Sequence, residues 1–254
     1  MVRPMSEPKN PIVVIPARLA SRRLPDKPIA DIQGDPMIVH VWRRAVAADI
    51  GPVIVACADI AIIDAIKEVG GDAVFTKPDH PSGSDRVFEA MHIVDPLKKH
   101  DCVVNLQGDL PTIEAEAIRA ALRPLDNEAV HIATLAAEIT DDAERDDPNV
   151  VKAVLSLAPG ADRGRALYFS RTPVPSGPGP LYHHIGLYAF RRPALERFVK
   201  MPRGVLERQE GLEQLRALEN GMRIDAQLVD TVPLGVDTPA DLERARELLA
   251  PQAT

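Results

Sequence analysis

Cysteine is nearly missing from this chain. Only Cys57 and Cys102 occur in 254 residues, each inside an apolar run (VIVACA and CVVNL) where a small buried thiol packs as a hydrophobe. A disulfide framework is not indicated, and none is needed, because a chain of this length buries a full core as one large domain or as one domain plus a smaller lobe. Long apolar runs are missing too. No stretch approaches the roughly eighteen apolar residues that span a bilayer, and the opening MVRPMSEPKN lacks the apolar h-region of a signal peptide, so the chain is expected in the cytoplasm without a membrane partner. Positive charge is in deficit: 30 Lys and Arg against 37 Asp and Glu leave a formal charge of -7. Most of the exterior therefore repels nucleic acid and anionic lipid, and an anionic ligand must be met by a local cluster of cations. Glycine-rich phosphate turns are absent as well. Neither a Walker spacing nor G-x-G-x-x-G follows the first apolar strand, which excludes an NAD-dependent dehydrogenase despite the α/β alternation.

What is present is an alternation of short β-branched runs with amphipathic segments through the first half, the pattern of a parallel sheet flanked by helices. The reading places strands at about Pro11–Pro16, Pro52–Cys57, Ala73–Phe75 and Cys102–Gln107. Helices are expected at about Pro36–Asp49, Ile60–Val69, Ser84–Val94 and Ile113–Arg123. Runs such as IVVI and CVVNL suggest strands covered on both faces, with the loops that follow them gathered along one ligand-binding edge. From about His131 the texture changes to strand-like HIATLAAEI, VVKAVLSL, ALYFS and HIGLYAF, with no long helical pattern between the first three. RTPVPSGPGP reads as an exposed irregular loop. Helices near Pro193–Lys200 and Leu212–Asn220, a strand near Arg223–Val229 and a helix near Thr238–Leu249 complete the chain. The expected division is an α/β nucleotide-binding core at 11–130, a mixed lobe at 131–225 and a strand–helix segment at 226–254 that completes the core.

The first strand ends in IPARLASRRLPDKP, which packs Arg18, Arg22, Arg23 and Lys27 into one loop. Guanidinium groups clamp phosphate oxygens in bidentate fashion and a lysine adds a mobile point charge, so the loop suits a triphosphate; a solvated basic surface loop is the alternative. NLQGD sets Asp109 just beyond a buried strand on the same edge. Magnesium prefers few carboxylates together with phosphate oxygens and water, so Asp109 needs only one or two protein partners. Asp237, in GVDTP, is the second candidate, although an Asp before Thr-Pro also starts helices well. Asp241 reads as an ordinary surface residue. In DHPSGSDR, Gly83 permits close backbone approach while Ser82 and Ser84 offer hydrogen bonds or a helix N-cap.

The string RLASRRLPDKP resembles the R-x-x-S-x-R-x-P-x-K signature of CMP-sugar synthetases and their nucleotidyltransferase relatives, most nearly the 3-deoxy-manno-octulosonate cytidylyltransferases. TKPDHPSGSDR, NLQGDLP, ALYFSR, HHIGLYAFR, LEQLR and GVDTPADLER follow in the family's order and span nearly the whole chain. The resemblance implies a Rossmann-like nucleotide-diphospho-sugar transferase fold, with a mostly parallel central sheet flanked by helices and a smaller mixed-sheet lobe. It implies that the anomeric hydroxyl of an acidic 2-keto-3-deoxy sugar attacks the α-phosphate of CTP with Mg2+ assistance, for lipopolysaccharide synthesis, in a homodimer.

The same resemblance implies the site. Arg18, Lys27, Asp109 and Asp237 would be catalytic, the two aspartates holding the metal. Ala17, Arg18, Arg23, Lys27, Ser82, Gly83, Arg86, Gln107 and Asp109 would bind the nucleotide. Gln107, Arg171, His184, Tyr188, Glu213 and Gln214 would bind the sugar, with Arg171 the natural partner of its carboxylate. An isolated His or Tyr on an alternating strand is otherwise a packed residue. Glu213 and Gln214 cannot share one face of a straight helix, so either one supports the other or a helix begins there. The chain departs from its relatives at Leu110, where many have Glu, at His183, where Arg is frequent, and at Asp26, where Gly is common. An 8-amino sugar or a sialate therefore stays open as substrate, and a noncatalytic nucleotide- or sugar-binding regulator is the rival of another class.

Overall fold

The computed structural model describes residues 8–20 and 23–251. They divide into two compact units, one from Asn10 to Ile118 together with the chain from Pro233, the other built on Arg119–Val232.

The first unit begins with β1 (Pro11–Pro16), the hairpin β2 (Asp31–Ile32) and β3 (Asp35–Pro36), and α1 (Met37–Ala47). β4 (Val53–Cys57), α2 (Ile60–Glu68), β5 (Asp72–Phe75), α3 (Gly83–Val94), β6 (Cys102–Asn105) and α4 (Ala115–Ala120) follow. The four long strands run in the order β5-β4-β1-β6, all parallel, with Ile15 opposite Val55 and Val13 opposite Val104. Ile12, Val13, Val14 and Ile15 are all buried, as the continuous apolar run requires of a strand covered on both faces. The hairpin was not expected from the sequence. It turns on Gln33 (φ 54°) and Gly34 (φ 87°), a pair of left-handed residues suited to a two-residue turn, but its strands are too short to show alternation.

The second unit holds β7 (Ile132–Glu138), α5 (Asp142–Asp146), β8 (Lys152–Ser156), β9 (Arg163–Ser170), β10 (Tyr182–Arg191), α6 (Arg192–Lys200), α7 (Val205–Glu210), α8 (Leu215–Glu219) and β11 (Ile224–Leu228). Its strands run β10-β7-β11-β9-β8, and β8 also pairs with β10 at Tyr182↔Ala153 and His183↔Lys152, which closes the order on itself. Only β7 and β11 are parallel; the other pairs are antiparallel. The mostly parallel sheet expected of the chain is thus corrected to a mixed one. Short links such as Leu157–Asp162 between β8 and β9 leave no room for the helical crossover that parallel neighbours need.

β11 was grouped from sequence with the C-terminal segment at 226–254, yet it pairs with β7 and β9 inside the second unit, which runs from Arg119 to Val232 rather than over 131–225. The segment that returns to the first unit starts at Pro233 and ends in α9 (Pro239–Leu248). Among the described residues no helix is long and apolar enough to cross a membrane.

Candidate active site

The loop after β1 is fixed at several points. Ala17 donates its N–H to the Ala56 carbonyl at 2.9 Å, and Leu19 donates to Asp59 Oδ2 at 3.1 Å. Asp26 adopts the left-handed conformation, φ 53° and ψ 25°, which is why a glycine suits this position, and a single 3-10 turn over Lys27–Ile29 follows. Leu24 anchors the loop in a small core with Ile32, Met37, Val236, Leu242 and Ala245. That core draws the C-terminal segment to the loop. Two hydrogen bonds then set its register, Val236 N–H to the Asp109 carbonyl at 2.9 Å and Leu234 N–H to Thr112 Oγ1 at 2.8 Å.

The result is a convergence that the linear sequence hides. Lys27 Nζ donates to Asp109 Oδ2 at 2.9 Å and to Asp237 Oδ1 at 3.0 Å, while Arg23 Nη2 lies 2.8 Å from Asp237 Oδ2. Burial alone would push the Lys27 ammonium down, but the charges and hydrogen bonds of Asp109 and Asp237 outweigh it and hold its pKa above the ordinary lysine value. Helix capping does not engage Asp237. Thr238 caps α9 with its hydroxyl, and Asp241 closes the capping box and accepts the Asp237 N–H at 3.1 Å, so the Asp237 side chain is turned toward the cations. Asp241 is therefore not the ordinary surface residue expected from sequence.

These groups line a cleft of about 940 Å³, large enough for a nucleoside triphosphate. Ala17, Arg18, Arg23, Lys27, Ser82, Gly83, Arg86, Gln107, Asp109 and Asp237 are all on its wall. Arg22 lies outside the described residues. A Cβ on Gly108 would come within 3.0 Å of the Pro16 carbonyl oxygen, so glycine lets the turn after β6 approach the end of β1. Ser82 is the N-cap of α3, accepting the Asp85 N–H at 3.3 Å, whereas Ser84 is fully buried, with Asn105 Nδ2 donating to its hydroxyl. Arg86 is also buried. Its guanidinium donates to Thr76 Oγ1 at 2.5 Å and to the carbonyls of Lys77 and Pro78, so it shapes the loop before α3 from beneath. His80, which sequence reasoning passed over, lines the same cleft and is held by the Glu89 carboxylate. Its signal was the acid nine positions on, invisible without knowing that the loop folds back on α3.

Arg171, His184, Tyr188, Glu213 and Gln214 all belong to the second unit; Gln107 belongs to the first. A two-residue bulge at Gly186–Leu187 in β10 keeps His184 and Tyr188 on one face, opposite Ala136 and Thr134, with ring centroids 5.6 Å apart. Thr134 Oγ1 donates to the Leu187 carbonyl at 2.8 Å and lies 3.0 Å from His184 Nε2, and Gln214 Nε2 lies 3.5 Å from His184 Nδ1. The network assigns His184 the neutral Nε2–H tautomer, donating to Thr134 and accepting from Gln214. Burial pushes its imidazole from 6.5 to about 3, aided by repulsion from His183. Burial, and then the nearby Glu213 charge, raises the Tyr188 phenol well above 10. Gln214 is the N-cap of α8, so Glu213 and Gln214 precede the helix, which resolves the conflict of faces. His183 Nδ1 contacts Glu144 Oε2 at 3.2 Å.

A family model described as Cytidylyltransferase matches residues 12–224. The chain belongs to the cytidylyltransferase family. It is 64% identical over 240 residues to a 3-deoxy-manno-octulosonate cytidylyltransferase of Paramagnetospirillum magneticum, covering 94% of this chain and 98% of that one. It is 66% identical over 245 residues to a protein of the same name from Rhodospirillum centenum, covering 96% and 95%. A solved CMP:2-keto-3-deoxy-manno-octonic acid synthetase complexed with CTP superposes with a TM-score of 0.87 at 40% identity, over 95% of this chain and 99% of that one. The 4-diphosphocytidyl-2C-methyl-D-erythritol synthase of Anaerococcus prevotii, at 14% identity and a TM-score of 0.63, shares the fold, covering 96% and 99%.

Within this cytidylyltransferase, the donor set fits a divalent cation that keeps most of its shell for phosphate and water. Asp109 and Asp237 each turn one carboxylate oxygen to Lys27 Nζ, a pair of hard oxygen donors at one point of the cleft. The neutral His184 has a consequence for stability. Its folded pKa lies below the unfolded value, so the unfolded chain binds the extra proton, and the stabilisation present above about pH 6.5 is lost as pH falls toward 3. His184→Gln should therefore show a shallower loss of unfolding free energy between pH 6.5 and 4 in urea titrations. Equal slopes for the two proteins would contradict the burial of a neutral imidazole.

Proposed function

We propose that this chain transfers CMP from CTP to 3-deoxy-D-manno-octulosonate, supplying an activated sugar for lipopolysaccharide. The observation that carries the reading is the bracketing of Lys27 by Asp109 and Asp237 within a cation-lined cleft, in a chain whose relatives at 64% and 66% identity bear that name. In this reading the anomeric oxygen of the sugar forms a bond to the α-phosphorus. The bond from that phosphorus to the bridging oxygen breaks, pyrophosphate leaves, and the hydroxyl proton passes to solvent.

Arg18, Arg23 and Lys27 neutralise the triphosphate and hold the α-phosphorus in line with the leaving group. Asp109 and Asp237 hold Mg2+, which when bound neutralises phosphate charge and aids departure of pyrophosphate. Lys27, on the cleft wall between the two carboxylates, would add its positive charge to the phosphate oxygens. Ser82, Gly83 and the Ala17 backbone border the nucleoside. Arg171 reads the sugar carboxylate, Gln107, Tyr188, Glu213 and Gln214 its hydroxyls, and the bonded, neutral His184 keeps that cluster in shape. The working form is a homodimer.

Pyrophosphate release measured over a matrix of CTP and UTP against 3-deoxy-D-manno-octulosonate, its 8-amino analogue and sialate tests the reading. The expected result is the highest kcat/KM for CTP with the octulosonate and a CMP-sugar product by mass spectrometry. A preference for UTP, for sialate or for the 8-amino sugar would overturn the substrate assignment, and no release from any pair would overturn the activity.

A further inference from the structure

Arg171 follows β9, and its guanidinium makes two hydrogen bonds, Nε–H to the Glu210 carbonyl at 2.8 Å and Nη1–H to the Pro148 carbonyl at 2.9 Å. Both acceptors are neutral. Among the described residues the side chain has no carboxylate partner, so its charge stays uncompensated while its plane is fixed. The Glu210 carboxylate is engaged elsewhere, accepting the Arg171 backbone N–H at 3.0 Å, the Tyr168 hydroxyl at 3.3 Å and the Ser170 hydroxyl at 3.2 Å. Glu210 thus grips Arg171 at both main chain and side chain without neutralising it.

The second grip comes from the turn before β8. Asp147 Oδ1 accepts from the Asn149 N–H at 2.7 Å and from Asn149 Nδ2 at 3.0 Å, which fixes the turn that carries the Pro148 carbonyl. The preceding carbonyl, that of Asp147, accepts from Lys152 Nζ at 2.6 Å. Lys152 is 0% exposed. Burial opposes its charge, while Asp147, Asp146 and Glu144 favour it from a distance. A buried ammonium is unfavourable where an apolar side chain of similar length would pack, so its presence needs a reason. Its bond supplies one: consecutive carbonyls of a single turn are tied to Lys152 and to Arg171.

We propose that Glu210 and Lys152 are positioning residues that hold the Arg171 guanidinium, with its charge uncompensated, for the carboxylate of the acidic sugar. This rests on the reading of Arg171 given under the proposed function. A planar fork prealigned by neutral acceptors binds a carboxylate without first breaking an ion pair or freezing its own rotamers.

Steady-state kinetics with CTP and 3-deoxy-D-manno-octulosonate, on the full chain, test the proposal. Glu210→Ala and Lys152→Met should each raise the sugar KM by about five- to twentyfold with the CTP KM within about twofold of the parent. Glu210→Gln should recover most of the loss, because its amide oxygen still accepts the Arg171 N–H. In an Arg171→Ala background neither substitution should raise the sugar KM further, since both act through Arg171. Lys152→Gln serves the same arm where Lys152→Met does not fold.

Additive losses, or equal rises in the two KM values, would mean a merely structural role and overturn the proposal. If Arg171→Ala raises the sugar KM while Glu210→Ala and Lys152→Met leave it unchanged, the positioning fails and the reading of Arg171 stands. If Arg171→Ala itself leaves the sugar KM unchanged, that reading fails and the proposal falls with it.

Discussion

Asp109→Asn should lower pyrophosphate release by about 10³-fold or more, ~4 kcal/mol of transition-state stabilisation, while leaving the fold intact. The fold survives because the main-chain bond that registers the two segments runs from the Val236 N–H to the Asp109 carbonyl, which the substitution does not touch. The Asp109 side chain is one-third exposed, and an amide fits the same space. What is lost is one of two charged oxygens aimed at a common point, leaving Asp237 alone to hold a dication. Circular dichroism and thermal melting establish that the variant is folded, and release of pyrophosphate at saturating Mg2+ measures the loss. Turnover at the parent rate would remove Asp109 from the metal site.

Lys27→Met should be nearly as damaging, lowering kcat/KM for CTP by about 10²- to 10³-fold. Lys27 is the most enclosed of the three charges, its side chain 14% exposed against 33% for Asp109 and 46% for Asp237, so little water screens its contact with phosphate. Methionine keeps the hydrocarbon stem and removes only the charge. Because the two carboxylates hold the ammonium above its ordinary pKa, Lys27 stays charged throughout pH 6–9 and contributes no inflection to the CTP profile there. Parent-like CTP kinetics in the variant would make the basic loop a surface feature.

How much of this was legible in the sequence follows the physics of each element. β1 and β6 were readable because strands covered on both faces run apolar, as IVVI and CVV do; the edge strand β5, with no buried residue, was legible only from its place in the alternation. The basic loop stood out because four cations so near one another contrast with a net charge of -7. The approach of Asp237 to Asp109 was not derivable from spacing, since it depends on Leu24 and Leu242 sharing one small core, a contact between distant segments of ordinary composition. The closed order of the second unit was hidden for the same reason. Its helix-poor texture pointed to a lobe of mixed topology, but the bulge at Gly186–Leu187 that aligns His184 with Tyr188 leaves no periodic mark. Asp241 was legible as the acid of a Thr-x-x-Asp capping box, a signal in the sequence itself that reading it as surface passed over. Glu210 and Lys152 escaped notice because the bonds that tie them to the Arg171 segment and to the turn before β8 run to main-chain groups, which no side-chain motif encodes.

Binding of Mn2+ followed by its paramagnetic resonance signal, with CTP present and no sugar, reaches the central claim without relying on turnover. The parent protein should take up the ion with its nucleotide. Asp109→Asn/Asp237→Asn should leave most of it in solution at the same concentrations, the protein still folded. Equal uptake by both proteins would mean that the metal sits elsewhere, and the account of this cleft would be wrong.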